Sequence, residues 1–342
     1  MTAAVVGLGY WGPNLLRVLQ EQDDVTVRHV CDVDPERLAW AAARYPAVGV
    51  TTDIQELLDD PELDAILLST PVHTHFELAA RALQAGKHCF VEKPLASSIA
   101  DADALVELAT DTGLTLMCGH TFLYSPAVRT VKRLIDDGEL GELYFVSSSR
   151  VNLGLHQRDA SVVWDLAPHD FSILLYWLGE SPEWVSAIGR ASVVPDVTDI
   201  AFIDLSFPSG VLAHVELSWL APSKLRRTVV VGSEKMVVYD DTSAEPIRVF
   251  DAGVTYRDPE TFGEYHLSYR TGDIVSPHLD NSEPLALQAA DFIASIRSEK
   301  PTSSNLAVAR DVVSLIEATE RSLLQRGALR VPAVAGVASV ST

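Results

Sequence analysis

The chain has 342 residues, 47% hydrophobic and 21% charged, the composition of a soluble globular protein long enough for two domains with their own cores. Lys and Arg number 26 against 47 Asp and Glu, a formal charge of −21 that disfavours unspecific attraction to nucleic acid or to an anionic membrane surface. No apolar run reaches the roughly 18 residues of a membrane span, and the stretch after Met1 reads as a strand and not as a signal sequence, so the expected address is the cytoplasm.

Thr2–Val6 reads as a short buried strand, Gly7–Gly12 as a turn, and Trp11–Glu21 as a helix with Leu15, Leu16 and Leu19 facing a core. Val25–Asp32 is the second strand, and Pro35 suits the first turn of the next helix. Strand-like runs at Ala65–Ser69, His88–Val91 and Thr115–Cys118 alternate with helix-like segments around Phe76–Ala85 and Asp101–Thr112. This alternation predicts a doubly wound α/β domain: a parallel sheet with helices on both faces and ligands at the carboxyl ends of the strands. Cys31, Cys89 and Cys118 lie in or beside apolar runs without metal-ligand spacing and read as buried, reduced thiols.

After about residue 140 the pattern changes. Leu143–Ser149 is strand-like, Val163–Leu178 has the length and apolar spacing of a helix, and the chain beyond Pro182 reads as antiparallel sheet. Ile203, Leu205 and Phe207 alternate with polar residues, Pro208-Ser209-Gly210 turns the chain, and Val211, Ala213, Val215, Leu217 and Trp219 alternate again, which is a hairpin signal. Two late helices carry Leu285, Ala289, Phe292, Ile293 and Ile296, then Ala309, Val312, Val313, Ile316 and Leu323. The last dozen residues, Val331–Thr342, are small and apolar and match no element.

Two constellations carry chemistry. In Gly7-Leu8-Gly9-Tyr10-Trp11-Gly12 the first glycine allows a tight turn, the second a close approach of backbone to a pyrophosphate, and the third close packing of helix on strand. Asp32, about twenty residues past Gly12 and followed by Val33, is placed to accept hydrogen bonds from an adenosine ribose and to repel the 2′-phosphate of NADP, so NAD is the expected cofactor. Arg37 either pairs with Asp34 or covers the adenine. Ser69-Thr70-Pro71 borders the cofactor at the switch point, with His75 opening the next helix, and no metal site is expected at His73 and His75. In Glu92-Lys93-Pro94, the lysine stands where a strand meets a proline; it either supports a substrate hydroxyl beside the nicotinamide or is a surface lysine paired with Glu92. Asp165 and His169 share a helix face, so the carboxylate can orient an imidazole that takes a hydroxyl proton near its ordinary pKa of about 6.5. Pro168, if confined to the first helical turn, would instead leave Asp165 as a cap and His169 as a core residue.

The glycine fingerprint, Ser69-Thr70-Pro71 with His75, the run Ala85-Gly86-Lys87-His88-Cys89-Phe90-Val91-Glu92-Lys93-Pro94 and the Asp165/His169 pair together resemble the Gfo/Idh/MocA family of nicotinamide-dependent sugar oxidoreductases over nearly the whole chain. The resemblance implies a Rossmann domain over 1–122 and an α+β domain over 123–330, with an open, mostly antiparallel sheet serving as a dimer or tetramer interface, and then a tail over 331–342. It also implies that Lys93 lies between cofactor and substrate and that Asp165 and His169 transfer the proton. The segments 120–126, Arg150–Asn152 and Trp164–His169 are similar to members acting on nucleotide-linked sugars, such as UDP-N-acetylglucosaminuronate 3-dehydrogenases. Arg150, Arg158, Lys224, Arg226, Arg227 and Arg270 are then candidate partners of a diphosphate, and Tyr124, Asn152, His156, Gln157 and Trp164 of the sugar. Alternatives are a free sugar or inositol dehydrogenase, a ketoreductase working in the reverse direction, or a dinucleotide-sensing regulator that kept the fold without the chemistry.

Overall fold

Strand β1 (Thr2–Val6) is buried along both faces, the pattern of a strand covered by helices above and below. The chain alternates from there through α1 (Gly12–Gln20), β2 (Thr26–Cys31), α2 (Pro35–Arg44), β3 (Gly49–Thr51), α3 (Ile54–Leu58), β4 (Ala65–Leu68), α4 (His75–Gln84), β5 (His88–Val91), α5 (Ile99–Thr112) and β6 (Leu116–Cys118). The computed structural model describes residues 1–154, 160–256, 267–298, 300–325 and 328–330. The first six strands form one parallel sheet in the order β3-β2-β1-β4-β5-β6. Strand order reverses between β1 and β4, which opens a crevice at the carboxyl ends of these strands. Local chemistry sets the helix ends: Asp34, Asp53 and Ser98 cap α2, α3 and α5, and Gly113 at φ 66° stops α5.

The remaining elements are α6 (Pro126–Asp136), β7 (Leu143–Leu153), α7 (Val162–Leu178), β8 (Trp184–Arg190), β9 (Ile200–Ser206), β10 (Leu212–Ser218), β11 (Leu220–Gly232), β12 (Met236–Asp240), β13 (Ile247–Tyr256), β14 (Leu267–Val275), α8 (Pro284–Ser298), α9 (Leu306–Gln325) and β15 (Ala328–Arg330). Nine strands form a second sheet in the order β14-β13-β12-β11-β7-β10-β9-β8-β15. Every pairing in it is antiparallel except β7 with β10. The predicted hairpin is β9–β10, and its alternating residues Ile203, Leu205, Ala213, Val215 and Leu217 are buried. Helix α7 joins this core through Trp177, whose ring meets Tyr239 at 6.1 Å and whose indole N–H donates to the Val128 carbonyl at 2.9 Å.

The chain divides into two compact units: residues 1–126 with 280–314, and the described residues of 127–279 with those from Leu315 onward. Helix α8 thus belongs with the parallel sheet, whereas the sequence placed everything from 123 to 330 in one later domain. Side chains far apart in sequence make the difference. Arg17 of α1 pairs with Glu283, Tyr124 donates to Asp291 at 2.6 Å, Thr121 donates to Gln288 at 2.9 Å, and Phe90 meets Phe292 at 5.9 Å. The tail 331–342 lies outside the described residues.

Candidate active site

In the first unit, the turn after β1 is built by three glycines for three reasons. Gly7 has φ 91°, a region costly to other residues. A Cβ on Gly12 would fall 2.0 Å from the Gly7 carbonyl oxygen, so only glycine lets α1 pack there. A Cβ on Gly9 would meet nothing within 4 Å and would project into the open crevice, the approach that a pyrophosphate needs. The N-terminus of α1 has no side-chain cap, leaving its positive end to an anion. Tyr10 is 90% exposed at the tip of the turn, with Trp11 packed edge-on against it at 5.7 Å.

Asp32 is buried at the end of β2. Its Oδ2 accepts the Leu8 N–H at 2.5 Å and its Oδ1 accepts the Asp34 N–H at 2.8 Å, so the carboxylate fastens the glycine turn to the second strand. Arg37 reaches both Asp34 at 3.3 Å and Asp32 at 3.5 Å, and also lines a cleft of about 400 Å³ with Leu8, Pro13, Asp34, Glu36 and Trp40. Arg37 is therefore paired with Asp34, one of its two alternatives, and also borders this cleft. Exposed Val33 offers backbone at the same edge. These features fit a dinucleotide: an uncapped helix end and open glycine for the pyrophosphate, a carboxylate and cleft for the adenosine.

At the carboxyl ends of β4 and β5, Ser69 Oγ donates to the Gly7 carbonyl at 2.6 Å, and Thr74 Oγ1 donates to Thr70 Oγ1 at 2.7 Å. His75, grouped by sequence with the cofactor contacts, is 1% exposed, with its ring nitrogens 2.8 Å from the Thr70 carbonyl and 2.9 Å from the Pro94 carbonyl. Both nitrogens face backbone, so its side chain ties the loop after β4 to the loop after β5 instead of contacting a cofactor. Burial lowers its pKa, against the two carbonyls that raise it.

Lys93 is half-buried, and its peptide bond to the buried Pro94 is cis. Glu92 is buried, so a solvated surface pair with Lys93 does not describe it. Its Oε2 accepts the Lys93 backbone N–H at 3.2 Å. Burial pushes its pKa up to about 7, opposed by the Lys93 charge and that backbone hydrogen bond. His120, just past β6, is driven down to about 3 by burial and then by Lys93. Spacing did not reveal His120, because its neighbours come from other strand ends.

In the second unit, α7 begins at Val162, with the Ser161 hydroxyl accepting the Trp164 N–H at 3.4 Å. Pro168 consequently lies in the helix interior, not in its first turn, and removes the N–H that would have reached the Trp164 carbonyl. Asp165 falls in the first turn and His169 one turn later on the same face, both half-buried. Trp219 donates its indole N–H to Asp165 Oδ2 at 3.0 Å. The sequence showed Trp219 only as a core residue, because 54 positions separate it from Asp165. Asn152 near the end of β7 and Trp164 are half-buried in the same unit.

Two other expected substrate contacts, Arg150 and Tyr124, are corrected. Arg150 is 5% exposed and pairs with Asp170 at 2.5 Å, while Ser148 donates to the same carboxylate at 2.7 Å, so the guanidinium is spent inside the protein. Tyr124 is fully buried with its hydroxyl on Asp291, away from any ligand surface. Arg226 pairs with Asp241, and Arg270 with Glu234 and Asp251. Lys224 and Arg227 are exposed and make no ion pair among the described residues. His156, Gln157 and Arg158 lie outside the described residues. Among the described residues, no cluster of His, Cys, Asp and Glu has the makings of a metal site, and no helix is long and apolar enough to cross a membrane.

Comparison with known proteins agrees with this architecture. A model described as an oxidoreductase family with an NAD-binding Rossmann fold matches residues 1–120, and one described as the GFO/IDH/MocA C-terminal domain matches residues 128–238. The 4-carboxy-2-hydroxymuconate-6-semialdehyde dehydrogenase of Sphingobium sp. is 27% identical over 96% of this chain and 100% of its own length. The myo-inositol 2-dehydrogenase of Thermotoga maritima is 27% identical over 72% of this chain and 76% of its own. The solved structure of UDP-N-acetylglucosamine 3-dehydrogenase from Acidithiobacillus ferrooxidans shares the fold, with a TM-score of 0.78 at 24% identity over 95% of this chain and 98% of that one. Two models of one family thus match successive stretches that together exceed half of the chain. The first covers the glycine turn and Asp32 built as a dinucleotide requires, so this chain belongs to the Gfo/Idh/MocA oxidoreductases and its first domain binds NAD.

Proposed function

We propose that the protein moves hydride between NAD and a sugar ring carbon that carries a secondary hydroxyl, with C3 of a nucleotide-linked sugar as the position. Bound NAD supplies the hydride acceptor or donor. His169 takes the hydroxyl proton during oxidation and returns it during reduction, and Asp165 orients the imidazole. The Lys93 ammonium supports alkoxide character on the substrate. The observation that carries the reading is the Asp165 carboxylate, held by Trp219 one helical turn before a half-buried His169. A histidine serving only as core packing needs no such anchored partner.

The nucleotide assignment rests on the resemblance of segments 120–126, 150–152 and 164–169, with Lys224 and Arg227 as cations for the diphosphate. A second reading, a free sugar or inositol substrate, is favoured by the commitment of Arg150, Arg226 and Arg270 to carboxylates. Oxidation rates with NAD across nucleotide sugars, free sugars and inositols separate the two. Lys93→Ala and His169→Ala are expected to lose at least about a hundredfold in kcat on whichever substrate turns over. Wild-type rates in both variants would defeat the mechanism. NAD binding without turnover of any substrate would favour a sensor.

The assembly we infer is a homodimer or homotetramer joined through the outer face of the nine-stranded sheet. Ile188 pairs with Phe202 across β8 and β9, and Phe145 with Leu212 across β7 and β10; all four are exposed.

A further inference from the structure

We propose that Trp219 is a positioning residue for proton transfer, setting the orientation of the Asp165 carboxylate against His169 through its indole N–H. This rests on the reading of Asp165 and His169 as the proton-transfer pair. Trp219 occupies the single residue between β10 and β11 and is 1% exposed. Its backbone is tied on both sides: its N–H donates to the Asp199 carbonyl at 3.0 Å, and its carbonyl accepts the Gly154 N–H at 3.0 Å. The ring is also seated closely, since a Cβ on Gly154 would lie 2.8 Å from its Cδ1. Gly154 has no positive φ, so glycine is required there for room and not for backbone freedom. Asp199, which holds the Trp219 backbone, is itself fully buried and accepts the Ser192 and Val193 N–H groups at 2.8 Å each.

An indole N–H is a donor only and does not titrate in the working range of a dehydrogenase. It therefore presents the carboxylate with one fixed partner at every pH. Asp165 lies in the first turn of α7, where the helix end also favours an anion. With Oδ2 engaged by Trp219, rotation of the carboxylate about its Cβ–Cγ bond is restrained. An unrestrained carboxylate would spend part of its time turned from the imidazole, and each such orientation is lost to the reaction.

The test is a double-mutant cycle of Trp219→Phe and Asp165→Asn, read as kcat, KM and the pH profile of kcat/KM. Trp219→Phe is expected to lower kcat by roughly tenfold with KM changed less than about twofold, and to move the acidic limb of the profile in the direction that Asp165→Asn moves it. In the Asp165→Asn background it is expected to cost nothing further. Equal losses in both backgrounds, or an unmoved acidic limb, would overturn the proposal and leave Trp219 as packing. The indole N–H resonance of Trp219 in the wild-type protein is expected to shift in Asp165→Asn; an unchanged resonance counts against the contact even if Trp219→Phe fails to fold. Failure of the underlying reading looks different: His169→Ala and Asp165→Asn would then both retain wild-type rates.

Discussion

At the residue scale, the chemistry turns on a few side chains whose surroundings differ from water. Glu92 has an ordinary pKa of 4.5 and a folded value of about 7, so the folded chain holds this proton more tightly than the unfolded one. Its contribution is therefore fully present below about pH 4.5 and lost as pH rises through about 7, a swing of up to roughly 3 kcal/mol. Glu92→Gln is expected to raise the melting temperature at about pH 8 and to change it little at about pH 5, as calorimetry at the two values will show. Asp32 joins glycine turn to cofactor site. Asp32→Ala is expected to weaken NAD binding by at least about tenfold and to relieve rejection of NADP, because Arg37 then keeps only Asp34 and gains the 2′-phosphate as a partner. Titration with both cofactors checks this, and equal affinities in the parent protein would remove the argument.

At the element scale, α7 carries Asp165 and His169, the proposed proton-transfer pair, on one side of its first turns and is anchored by the next residue. Asp170 takes Arg150 and Ser148 from β7, and Ser148 shares a hydrogen bond with Thr228 of β11 at 2.9 Å. Removing one partner of a buried ion pair strands the other charge. Arg150→Ala is therefore expected to cost about 3–5 kcal/mol in a denaturant melt, more than the paired replacement of Arg150 and Asp170 by apolar residues. The existence and extent of α7 were legible in the sequence from its apolar spacing, and Gly179 ends it at φ 68°. The Ser161 cap places Pro168 in the helix interior, and the roughly 3 kcal/mol cost of a proline there is met by tertiary packing that spacing does not display. Likewise α8 read correctly as a helix but not as part of the first unit, since Gln288, Asp291 and Phe292 find their partners more than a hundred residues upstream.

At the scale of the whole molecule, charge and pattern set the behaviour. His75, His88 and His120 all have pKa values lowered chiefly by burial, so the unfolded chain binds these protons first. Their stabilisation is complete above the ordinary 6.5 and is lost as pH falls below it. These groups oppose the raised Glu92 and Glu320, so lowering the pH from about 7 to about 5 is expected to cost more melting temperature in Glu92→Gln than in the parent protein. Light scattering after gel filtration tests the sheet interface: Phe202→Glu is expected to yield monomers from a dimer or tetramer, and a monomeric parent protein would end that reading.

Sequence by itself determined the elements that rest on short-range rules: the three glycines, each with its own steric reason, the alternation of β9 and β10, and the spacing of Asp165 from His169. These depend on neighbours within a few positions. Tertiary structure decided which polar side chains remain available to a ligand. Arg150, Tyr124 and His75 looked like contacts, yet each is enclosed by a partner 20, 167 or 19 residues away. Trp219 looked like core, yet it holds the Asp165 carboxylate from 54 residues away. Hydrogen bonds between distant segments carry no periodicity, so only the folded chain reveals whether a polar group faces the crevice or the interior.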